Sequence, residues 1–186
     1  MDARIVAGAV SVGAALTLTL TGSTAFAGEP DHPVSADGAF AAAGSATDAF
    51  TYDQALVPAG ATASVHATYT GDGRTVVTLH VRGLLPNRDY GAHAHRNACA
   101  ASPAAAGGHY QNVQDPVQPS TDPAYANDRN EVQMTLRTNA RGSGAADATV
   151  GWAFRDGGAH SIVLHAGRPA GAHGAADRVA CVNVDF

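Results

Sequence analysis

From residue 49 onward the chain breaks into short β-rich runs separated by turn residues, and no stretch there carries a helical period. Residues 61–70 hold Val65, His66, Thr68 and Tyr69; Gly71-Asp72-Gly73 follows, and then Thr75-Val76-Val77-Thr78-Leu79-His80-Val81. Two such runs around a Gly-Asp-Gly predict a hairpin. Residues 90–95 read as a further strand. In residues 131–138, Val132, Met134 and Leu136 fall at every second position, the period of a half-buried strand. Asn139-Ala140-Arg141-Gly142 is the next turn, and residues 148–154, 160–166 and 179–184 complete the set. Such a series predicts an all-β fold, a sandwich or barrel. The connection from Cys99 to Asn130 is far longer than an ordinary loop, a length associated with function or disorder.

The N-terminus has a different character. Arg4 places one positive charge near the start, residues 5–20 are almost entirely apolar, and Ala25-Phe26-Ala27 is a small-x-small triplet. This order predicts a secretory signal peptide, residues 1–27, cleaved after Ala27. The apolar run falls short of the roughly 20 residues that span a bilayer, which argues against a retained anchor. A secreted chain without a membrane partner is therefore expected. Residues 28–48, rich in Ala, Gly, Ser, Asp and Pro, read as a flexible leader, leaving 49–186 as one folded domain. The net charge is −5, every basic residue is arginine, and no basic stripe points to nucleic acid. Two cysteines, Cys99 and Cys181, in an exported chain pair with each other. Closing so long a loop contributes about 4 kcal/mol in the chain-entropy view.

The nine histidines are unevenly placed. His93 and His95 stand two apart on a predicted strand, so both side chains face one way and can share an ion. His109 follows Gly107-Gly108 in the long loop, and His165 ends the run Ile162-Val163-Leu164. Several imidazoles with an open position suit copper or zinc. His66 and His80 read as ordinary strand residues, His32 as part of the leader, His160 as facing away from His165, and His173 as a surface loop residue.

In order, the chain shows Gly91-Ala92-His93-Ala94-His95, Cys99, Gly107-Gly108-His109-Tyr110, Ser161-Ile162-Val163-Leu164-His165, and Arg178-Val179-Ala180-Cys181. This series resembles the copper/zinc superoxide dismutase family from the first hairpin to the end of the chain. The resemblance implies an eight-stranded Greek-key β-barrel. It implies copper bound by His93, His95 and His165, with His109 at the position of the family's bridging, proton-carrying histidine. It implies Arg178 as the active-site arginine that docks superoxide, and a Cys99–Cys181 disulfide.

The departures from the family form a coherent set. No histidine lies between His109 and His160, so the imidazoles of a zinc site are missing. The position of the aspartate that links the two metal shells is Pro169. The resemblance is thus to copper-only members, with one copper per chain and no zinc, unless Asp115, Asp122 or Asp128 substitutes for the lost ligands. The expected reaction is dismutation of superoxide to oxygen and hydrogen peroxide; the rival reading is a secreted copper-sequestering protein without turnover. Without zinc, another group must orient His109, since metal-bound imidazoles are normally held at their second nitrogen. Glu131 is the first candidate by sequence and Asp128 the second.

Overall fold

The computed structural model describes residues 33–167 and 177–186. The readings of the signal peptide, His32, Pro169 and His173 lie outside these residues. In chain order the strands are β1 (Val34–Ala39), β2 (Ala41–Ala42), β3 (Ala49–Thr51), β4 (Thr62–Tyr69) and β5 (Thr75–Arg82). They continue with β6 (Asp89–His95), β7 (Gln133–Arg137), β8 (Gly144–Val150), β9 (Ser161–Ala166) and β10 (Arg178–Asn183). A 3-10 turn lies at Pro103–Ala106.

One sheet has the order β1-β4-β5-β8 and the other β2-β3-β10-β9-β6-β7. All pairings are antiparallel except that of the two-residue β2 with β3. No ladder joins β7 to β8 among the described residues, so the architecture is a two-sheet sandwich rather than a closed barrel. After β7 and β8 the chain crosses back so that β9 lies beside β6, a Greek-key return.

Strand alternation builds the core between the sheets. Ala63, Val65 and Ala67 of β4 and Val77, Leu79 and Val81 of β5 point inward, while His66 and His80 lie exposed on the outer face. The second sheet contributes Tyr90, Met134, Leu136, Ile162 and Leu164. Its outer face is not left to water. Val163 and Cys181 pack there with Phe50, Cys99 and Ala106 beneath the long loop, so β6, β9 and β10 are buried on both faces.

Two expectations are corrected. Residues 34–42, read as flexible leader, form β1 and β2, with β1 paired to β4 along its whole length. The strand is hidden in the sequence because, after Val34, its inward positions are small; a Cβ at Gly38 would stand 2.6 Å from Ala49 Cβ. The strand expected at 148–154 lies earlier, at Gly144–Val150, where Gly144, Ala146 and Ala148 give the inward face little apolar signal. Trp152 and Phe154 instead join Tyr110 in an aromatic cluster beyond the strand end.

Candidate metal centre

Register assembles the histidines. In β6 and β9, His93 stands opposite Val163 and Gly91 opposite His165. Directly paired residues share a face, so His93, His95 and His165 all project from the outer face of the second sheet. The loop brings in the fourth. Gly108–Tyr110 runs antiparallel beside the end of β6: Arg96 N donates to Gly108 O, Tyr110 N donates to Ala94 O, and His109 bridges His95. His109 therefore joins the same face. So do Gln133, paired with His93 on β7, and Glu131 two residues before it.

One ring nitrogen each of His93, His109 and His165 lies within 4.8 Å of the others, a group that could hold a metal ion. The His93 and His109 rings stack with centroids 4.0 Å apart. His95 adjoins this triad, its ring 4.9 Å from His109 and 5.7 Å from His165. Its Nδ1 donates to Gly107 O at 3.1 Å, because a carbonyl can only accept. That choice leaves the lone pair on Nε2, which is buried with no hydrogen-bond partner. Burial, reinforced by the nearby charges of His109, Arg178 and His165, pushes the His95 pKa well below 6.5 and keeps the ring neutral. A neutral imidazole with a buried, unmatched lone pair beside three others fits a metal ligand.

Glu131 is 2% exposed and its Oε2 lies 3.0 Å from His109 Nδ1. Burial would raise the carboxyl pKa, but hydrogen bonds from His109, Gln133 and Gln111, with the charge of His109, outweigh it and hold the group below 4.5. An ionised carboxylate only accepts, so His109 donates from Nδ1, and in the neutral ring the lone pair then falls on Nε2. Asp128, the second candidate for this role, is exposed on the loop. The other loop carboxylates are otherwise engaged. Asp115 accepts from Val117 N and Ser120 Oγ, and Asp122 accepts from Ala124 N.

Arg178 pairs with His165 at the start of β10, where a bulge between Arg178 and Ala180 shifts the register. Bulges re-aim side chains, and this one leaves Arg178 buried against the 3-10 turn. It donates from Nη1 to Pro103 O at 2.8 Å and from Nη2 to Gly107 O at 2.6 Å. Arg178, His109, Glu131, Gln118 and Ser120 line a pocket of about 70 Å³. A larger open depression of about 410 Å³ around Asp37, Ser64 and His80 contains none of the clustered histidines. His160 is held apart from the cluster by Asp185 and Gly157 O.

Cys99 and Cys181 form a disulfide, S–S 2.05 Å, which ties the loop carrying the 3-10 turn to β10. Such bonds persist mainly in oxidising compartments. Among the described residues no helix is long and apolar enough to cross a membrane. The residues that sequence reasoning missed are polar supports: Gln111, Gln133, Ser120 and the Gly107 carbonyl. Gln111 and the Gly107 carbonyl act through partners distant in sequence, and nothing local marks Gln133 although its partner Glu131 is two residues away.

The fold and site define a disulfide-bonded β-sandwich with a histidine cluster able to hold a metal. No family model and no curated protein matches the chain.

Proposed function

We propose that this protein is an exported, copper-dependent superoxide dismutase that works without zinc. The reading rests on one convergence: the triad His93, His109 and His165, with His95 beside it, shares its sheet face with a buried arginine lining the same small pocket as His109. Bound copper would supply the two one-electron steps, taking an electron from one superoxide and giving it to a second. With two protons, two superoxide anions yield one oxygen and one hydrogen peroxide.

The chain's own residues account for the rest. His93, His95 and His165 would hold the ion as imidazole ligands, and imidazole suits copper. Pro103 O and Gly107 O occupy two of the five N–H donors of Arg178 and Nε is buried, so one hydrogen on each terminal nitrogen remains to meet an anion. The pocket of about 70 Å³ that Arg178 shares with His109 has room for a small anion. Glu131 fixes the His109 ring, so that Nε2 is the nitrogen that carries a proton toward the reduced oxygen. The disulfide supports export, as does the signal-like N-terminus.

A copper-sequestering protein would use the same imidazoles but has no need of a buried cation beside them, and Arg178 favours turnover. Elemental analysis after equilibration with both copper and zinc, followed by a superoxide assay, tests the proposal. The expected result is about one copper per chain, no tightly held zinc, and copper-dependent superoxide consumption. Copper binding without turnover would favour sequestration, and a tightly held zinc beside copper would overturn the zinc-free reading.

A further inference from the structure

The loop that follows His109 carries a closed ring of hydrogen bonds with one donor left over. Gln111, 4% exposed, accepts the Asp115 N–H at its Oε1, at 3.0 Å. A backbone N–H can only donate, so the amide cannot flip, and its NH2 must face the other way. There it donates to Ser120 Oγ at 3.0 Å and to Glu131 Oε1 at 2.8 Å. Ser120 spends its own hydrogen on Asp115 Oδ2, at 2.7 Å, so its oxygen must accept from Gln111. Gln111, Asp115 and Ser120 thus lock one another, and the remaining amide hydrogen is aimed at the carboxylate that holds His109.

Glu131 is gripped at both ends as a result. Oε1 accepts from Gln111, while Oε2 accepts from His109 and from Gln133 at 3.0 Å. The carboxylate cannot rotate without breaking one of these bonds. Among the described residues Gln133 has no comparable ring behind its amide.

We infer that Gln111 is a positioning residue of the histidine centre, fixing Glu131 and through it the tautomer and ring angle of His109; this rests on the reading of His109 as a metal ligand. The loop that binds no zinc imidazoles is then not a vestige. Its buried amide supplies, from one side, the rigidity that a second ion would otherwise give.

The test uses nitrogen-15 NMR of the histidine rings in the full chain before copper loading, at about pH 8, above the ordinary imidazole range. Copper(II) electron paramagnetic resonance follows after loading. In the unsubstituted chain His109 should show a single tautomer with hydrogen on Nδ1; a mixture, or hydrogen on Nε2, overturns the inference with no variant needed. Gln111→Met, matched in volume, should lose the single-tautomer pattern, change the copper(II) spectrum and lower copper affinity by up to about 10-fold. Ser120→Ala keeps the Gln111–Glu131 bond and should retain the His109 pattern despite a less stable loop. If Gln111→Met leaves the pattern intact, or both variants disturb it equally, loop order rather than this amide holds His109. The ring signals do not depend on turnover, so absence of superoxide activity in the unsubstituted protein would count against the enzyme reading alone.

Discussion

His95 and Arg178 meet on a single oxygen: the Gly107 carbonyl accepts from His95 Nδ1 at 3.1 Å and from Arg178 Nη2 at 2.6 Å. The atom that selects the tautomer of a candidate metal ligand also anchors the candidate anion dock. Gly107 holds that oxygen in place with φ +71°, and a Cβ there would stand 2.8 Å from Asn97 Nδ2.

Gly107→Ala should therefore damage both functions at once. The backbone conformation alone costs roughly 1–3 kcal/mol for a residue other than glycine. Copper affinity and superoxide rate should fall together, measured by chelator competition and by assay on the same preparation. A variant that loses one and keeps the other would separate the two roles of the carbonyl.

Arg178→Ala should lower the superoxide rate while copper stays bound, because the guanidinium acts on the anion. Arg178→Lys should recover part of the loss, since charge returns but the two-carbonyl fork does not. The comparison belongs at low ionic strength, where steering of an anion is strongest. Full activity in both variants would remove the docking role.

The metal-free chain should lose stability in acid, in two stages. Burial, helped by neighbouring positive groups, holds the His95 pKa well below 6.5 in the folded state. The unfolded chain binds that proton first, so its contribution is complete above about pH 6.5 and declines as pH falls. Glu131, held below 4.5 by its donors despite burial, has the same sign at lower pH. The urea midpoint should be flat above about pH 7, decline from about pH 6.5 and steepen below about pH 4.5. His95→Gln should flatten the first stage. A midpoint constant from about pH 7 to pH 5 would show that His95 is not held neutral.

Replacing both cysteines by serine should cost about 4 kcal/mol of stability, since the bridge spans 82 residues. It should also cost activity at temperatures where the variant remains folded. The disulfide ties the segment bearing Pro103 O and Gly107 O to the strand that bears Arg178. Denaturant titration and rate measurement on one sample separate the two effects; stability lost at unchanged rate would confine the bridge to a global role.

Much of the sandwich was legible because strand patterning is local. The Gly-Asp-Gly hairpin, the alternation of Val132, Met134 and Leu136, and the placement of His93 and His95 on one face all follow from a period of two. The first strand was not legible, because two of its three inward positions, Ala36 and Gly38, carry almost no apolar signal; at Gly38 a side chain is ruled out by Ala49. The run expected at 148–154 was placed too late for a related reason: Trp152 and Phe154 look like strand residues but pack in an aromatic cluster beyond it.

The sequence by itself determined which residue types were present for a metal centre, the same-face placement of His93 and His95, and the identity of the only possible cysteine pair. Tertiary structure decided what those residues became. Pairing of Gly91 with His165 and of His95 with His109 brought four imidazoles to one face, and the bulge after Arg178 turned its side chain under the loop. The same pairing set Glu131, rather than Asp128, against His109. Side-chain direction along a strand is a local property of the backbone, whereas register between strands is set by packing over the whole sandwich.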